Sequence, residues 1–84
     1  MIQILYFASL RERLDRAEEQ IPLPDSVATA GDLAAFLGAR GGVWEEVFNG
    51  SQTVMTAVNQ AAGNAATALQ DGDEVAFFPP VTGG

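Results

Sequence analysis

The residues of this sequence best placed to do chemistry are Gly83 and Gly84, which follow the stiff pair Pro79-Pro80 after the short spacer Val81-Thr82. Glycine lacks a Cβ, so a diglycine passes through a narrow channel and takes backbone angles closed to other residues. Proline fixes φ and cannot donate to a sheet ladder, so Pro79 and Pro80 should end the last strand and aim the tail outward. Extended, residues 79–84 reach about 20 Å, enough to enter a partner's active site while the body docks outside. The chemistry expected of this arrangement takes place on the carboxylate of Gly84 itself. A merely frayed end is the competing reading of any terminus. The position directly behind an apolar strand and a double proline favours the first.

Little else in the chain reacts. Its 84 residues include no cysteine and no histidine. That excludes a disulfide framework, Ser-His and Cys-His nucleophiles, and the usual zinc sites. No metal and no bound cofactor are expected. The net charge of -7 and pI near 4.1 oppose binding to nucleic acid or to an anionic membrane. Arg11, Arg13, Arg16 and Arg40 are the only basic residues, and there is no lysine. From Gly41 onward the charges are Glu45, Glu46, Asp71, Asp73 and Glu74. An all-acidic half steers toward a basic protein surface, or serves solubility alone. The apolar start lacks the basic flank of a signal peptide, and no stretch has the length of a membrane span. A soluble, cytoplasmic protein is expected.

The elements that must carry the tail can be read from spacing. One domain with one modest core fits this length, and a hydrophobic content of 48% suits a globular fold. Residues 1–78 form that domain and 79–84 its tail. Met1 to Phe7 reads as a strand whose only polar member is Gln3, which predicts a central position with both faces covered. Ser9 and Glu12 have the spacing of a capping box opening a short helix to about Arg16, with Leu10 and Leu14 on one side. Glu19 to Leu23, bounded by Pro22 and Pro24, is an edge strand at most. Thr29 and Asp32 cap the main helix, in which Leu33, Phe36 and Leu37 recur at i, i+3 and i+4. Gly38, Gly41 and Gly42 mark its end, and Trp44, Val47 and Phe48 add a further helical turn. Val54 to Val58 returns to strand. The alanine-rich stretch behind Asn59-Gln60 takes no assignment. Asp71-Gly72-Asp73 is a turn before the last strand, Glu74 to Phe78. The order β, helix, β, helix, β, β predicts an α+β fold, a small mixed sheet with one main helix on one face. If the first and last strands run parallel side by side, the arrangement is the β-grasp. Strand parity sets Ile2, Ile4 and Tyr6 on one face and Leu5 and Phe7 on the other, with Val75 and Phe77 likewise opposed to Ala76 and Phe78. One main helix cannot cover both faces, so Phe7 and Phe78 are expected at an exposed apolar docking surface.

Several of these segments resemble a known family. The run Asp71-Gly-Asp-Glu-Val-Ala-Phe-Phe-Pro-Pro-Val-Thr-Gly-Gly84 is similar to the C-terminus of the small subunit of molybdopterin synthase, the MoaD family. Met1 to Ala8 with Leu10-Arg11-Glu12 resembles that family's first strand and helix, and Ala57-Val58-Asn59-Gln60 its third strand. Ala61 to Leu69 departs most from the pattern, because larger apolar residues are often found there. The resemblance adds Ala62 to the docking surface. It implies a ubiquitin-like sulfur carrier, a donor subunit without catalytic groups of its own in a heterotetrameric synthase. An activating enzyme uses ATP to adenylate Gly84, and sulfur transfer makes the thiocarboxylate. The large synthase subunit then takes in the tail, Pro79, Pro80, Val81, Thr82, Gly83 and Gly84, and the sulfur goes to cyclic pyranopterin monophosphate. A sulfur carrier of the thiamin pathway shares the diglycine, but the helix after the first strand and the Phe-Phe-Pro-Pro run count against it. A ubiquitin-related modifier that serves tRNA thiolation and an inert interaction module are the other readings. The missing lysines would leave an activated tail no internal side-chain amine to acylate, although chance depletion explains them as well.

Overall fold

The computed structural model describes residues 1–50 and 53–80. Eight elements succeed one another: β1 (Ile2–Tyr6), α1 (Ala8–Leu14), β2 (Glu18–Ile21), α2 (Ala30–Gly38), α3 (Val43–Asn49), β3 (Met55–Val58), β4 (Ala61–Gly63) and β5 (Glu74–Phe78). The sheet order is β2-β1-β5-β3-β4. β1 and β5 lie side by side and parallel, and every other neighbouring pair is antiparallel. This is the β-grasp arrangement, an α+β fold with β5 locked in the middle of the sheet.

Alternation along the strands selects the core. Ile2, Ile4 and Tyr6 of β1 and Val75 and Phe77 of β5 are all buried beneath the helices, joined by Val58 of β3. Leu10 and Leu14 of α1, Leu33 and Leu37 of α2 and Val47 of α3 close the core from above. Phe48 meets Phe77 edge-on, with ring centroids 5.1 Å apart, so α3 is held over the two central strands.

The capping box of α2 forms as its spacing predicts: Thr29 Oγ1 accepts from the Asp32 N–H, and Asp32 Oδ2 accepts from the Thr29 N–H. The box expected at Ser9 does not form. Phe7 is still tied to the sheet through its N–H to the Phe77 carbonyl, and its own carbonyl accepts from Leu10. The chain therefore turns from strand to helix with Phe7 as cap and no side-chain cap bond, and Ser9 falls inside the first turn. Phe36 also departs from expectation, at 40% exposed. The contact line of α2 runs through Ala30, Leu33 and Leu37, and a residue three positions past Leu33 lies at the margin of that stripe.

Two further differences concern the sheet. β1 is central, yet only its even-numbered face lies under helices, and Leu5 is half-buried. The unassigned alanine stretch contains β4. Asn59 and Gln60 both have positive φ, 51° and 68°, and make the two-residue reversal that lays Ala61–Gly63 beside β3. The loop behind β4 is pinned to α2 by Ala30 N–H to the Thr67 carbonyl and Gly31 N–H to the Ala65 carbonyl. A Cβ on Gly31 would stand 2.9 Å from Ala65, which is why glycine fits that contact.

Candidate docking face and the exit of the last strand

All the helices pack on one side of the sheet, so its other side is left open. Register places Glu18, Leu5, Ala76, Ala57 and Ala62 in one row across that open side. The next row toward the end of β5 pairs Phe78 with Met55. Phe7, with extended backbone, continues the parity of Leu5 and lies beside Phe78. Phe7 is 46% exposed and Met55 40% exposed, while Phe78 is half-buried. The row below is polar: Gln20 donates to Gln3 at 2.7 Å, and Gln3 is opposite Glu74.

Phe7, Phe78 and Ala62 thus share one face of the sheet. Met55, Ala57 and Ala76 belong to it too. Parity assigned Ala76, but Met55 and Ala57 needed the antiparallel register of β3 against β5, which the chain's spacing does not reveal. Pro79 is half-buried and Pro80 exposed at the end of β5. Val81, Thr82, Gly83 and Gly84 lie outside the described residues.

The strongest electrostatics are elsewhere. Glu19, on the helix side of β2, accepts two bonds from Arg40 at 2.9 Å each and one from the Tyr6 hydroxyl at 2.9 Å. Arg16 adds an ion pair at 3.1 Å. Trp44 roofs the group, with the Arg40 guanidinium 4.4 Å and the Arg16 guanidinium 5.6 Å from its ring centroid. Burial alone would raise the Glu19 carboxyl, but the bonds from Arg40, Tyr6 and Arg16 outweigh it and hold it down at about 2. Burial, then the bond to Glu19, pushes the Tyr6 hydroxyl far above its ordinary range. Three side chains already engage this carboxylate, which marks it as a structural brace. The network fastens β2 to the end of α2 and to α3, and apart from the local Arg16–Glu19 pair nothing in the sequence spacing announced it.

Other surfaces hold little chemistry. A cavity of about 260 Å³ between α2 and β3–β4 is lined by small or apolar residues such as Ala30, Gly31, Ala34 and Val54, with no charged side chain. Asp73, lowered chiefly by the Asn59 amide and then by the Gln70 N–H, braces two turns against each other. Among the described residues no three acidic side chains converge as a metal site, and no helix is long and apolar enough to cross a membrane.

The comparisons agree with this geometry. The profile of the ThiS family matches residues 4–84. The chain is 37% identical over 84 residues to the molybdopterin synthase sulfur carrier subunit of Haemophilus influenzae, covering 100% of both chains. It is 38% identical over 86 residues to the subunit of the same name from Escherichia coli, again with 100% of both covered. Among solved structures, the putative molybdopterin converting factor subunit 1 from Pyrococcus furiosus superposes with a TM-score of 0.74 at 30% identity, over 95% of this chain and 97% of that one. An end-to-end match at these identities, on a shared β-grasp frame, leaves one assignment: the chain belongs to the ThiS family, among the molybdopterin synthase sulfur carrier subunits.

Proposed function

We propose that this chain is a cytoplasmic sulfur carrier for molybdopterin synthesis and that Gly84 bears the sulfur. The observation that carries the reading is the full-length similarity to subunits named for that role, which extends through the diglycine. A carboxylate is a poor electrophile, because its charge is delocalised and oxide is a poor leaving group. An activating enzyme joins Gly84 to the AMP of ATP and pyrophosphate departs; sulfur at the hydrosulfide level then attacks the carbonyl and AMP departs. The thiocarboxylate left behind is ionised and nucleophilic at sulfur, suited to attack on cyclic pyranopterin monophosphate in the large synthase subunit.

This chain's own part is mechanical. β5 is hydrogen-bonded on both sides, to β1 and β3, so the segment that begins at Pro79 starts from a fixed base. Pro79 and Pro80 restrict its direction, Val81 and Thr82 lie along the partner's groove, and Gly83 lets the carbonyl of Gly84 thread through. Phe7, Phe78 and Ala62, on the open face beside that exit, seat the large subunit. Acid and base groups come from the partners, and good positioning of such reactants is worth roughly 7–11 kcal/mol of barrier. The chain binds no cofactor; ATP belongs to the activating enzyme. Intact-mass measurement tests the proposal. Chain purified from cells with the activating enzyme should include a fraction with sulfur in place of one oxygen at Gly84. Only the encoded mass, from cells making molybdopterin, would refute it.

A further inference from the structure

The open face is divided by polarity. Its end beside the exit of β5 is apolar, formed by Phe7, Phe78 and Met55, whereas Glu18 and Glu74 stand at the other end and flank. Glu18 is the cross-strand neighbour of Leu5, and Glu74 lies two residues before Ala76 on the same side of β5. Their Cα atoms are two strands and one residue pair apart, about 12 Å.

No strand position on this face is basic. Arg16 and Arg40 are committed to Glu19 on the helical side, and Arg13 pairs with Glu46 between α1 and α3. Neither Glu18 nor Glu74 has an ion-pair partner among the described residues. The acidic C-terminal half seen in sequence therefore does not map onto one surface. Glu45 and Glu46 belong to α3, while Glu18 from the first half joins Glu74 on the open face.

We infer that Glu18 and Glu74 are specific docking contacts. Their occupant is a partner protein that presents an apolar knob to Phe7 and Phe78 and two Arg or Lys side chains, one toward the β2 edge and one toward the start of β5. Resting on the sulfur-carrier reading, this makes the large synthase subunit that partner. An apolar patch alone lets a partner rotate about its centre. Two carboxylates set apart, one on the edge strand beside Leu5 and one at the start of β5, fix the orientation, and with it the line along which the tail enters. Charges at such a rim act on the rate of encounter more than on the lifetime of the complex.

Association kinetics with purified large subunit at several ionic strengths test this. E18Q/E74Q is compared with E12Q/E45Q, which removes the same charge from α1 and α3. Wild-type association should slow as salt rises. E18Q/E74Q should associate about tenfold more slowly at low salt, with most of the salt dependence gone and the dissociation rate little changed. E12Q/E45Q should keep most of the wild-type rate. Equal effects in the two double variants would overturn the inference and leave net charge as the explanation. If wild type fails to bind the large subunit at all, the sulfur-carrier reading falls and takes this inference with it.

Discussion

Glu19 occupies an edge strand opposite Ile4, where an unpaired carboxylate facing the core would be costly. Arg40, Arg16 and the Tyr6 hydroxyl remove that cost, and the result is a linkage between pH and stability. The carboxyl falls from its ordinary 4.5 to about 2 in the folded chain, so its contribution is complete above pH 4.5 and disappears as pH drops toward 2. E19Q should cost about 2 kcal/mol at neutral pH. Its melting temperature should also fall less steeply than wild type across that acid window, as thermal denaturation at a series of pH values would show. Identical acid limbs would place the linkage elsewhere. This network was invisible in the sequence for a physical reason. Arg16 is a local partner three residues before Glu19, but Arg40 and Trp44 join the group only once α2 and α3 have folded back over β2, and no local spacing encodes that return. The capping box of α2 was legible because Thr29 and Asp32 satisfy each other within four residues.

Strands with strong alternation declared themselves, and weak ones did not. β1 and β5 have β-branched and aromatic residues at every second position, so parity alone sorted Ile4, Tyr6 and Phe77 from Leu5, Phe7 and Phe78. β4 carries only Ala61, Ala62 and Gly63, which have no preference for a strand. It forms because the Asn59-Gln60 reversal delivers it to β3, and Gln60 is not a residue that signals such a turn. Ser9 misled because its capping pattern is local, while the ladder bond from Phe7 to Phe77 decided where the helix starts. On the open face, Phe78 joins β5 to the surface assigned to the partner. F78A should weaken binding of the large subunit by about 2 kcal/mol, roughly thirtyfold, in a titration by calorimetry. It should lower stability by less than the 3–5 kcal/mol typical of a buried phenylalanine. Unfolding with unchanged affinity would make Phe78 a core residue instead.

At the scale of the molecule, the fold divides its labour between two sides of one sheet. The helical side holds the aromatic core and the ion-pair network that make the body rigid. The open side, the proposed docking face, and the end of β5 face outward. A chain with no histidine and no cysteine needs no reactive interior under this scheme, only a stable handle and a correctly aimed carbonyl. The most direct measurement is a single-turnover synthesis of molybdopterin, with large subunit and cyclic pyranopterin monophosphate, supplied with this chain either as the Gly84 thiocarboxylate or as the plain carboxylate. The thiocarboxylate should yield product in proportion to the sulfur it carries, and the carboxylate none. Equal product from both forms, with no other sulfur source present, would contradict the assignment of Gly84 as the donor.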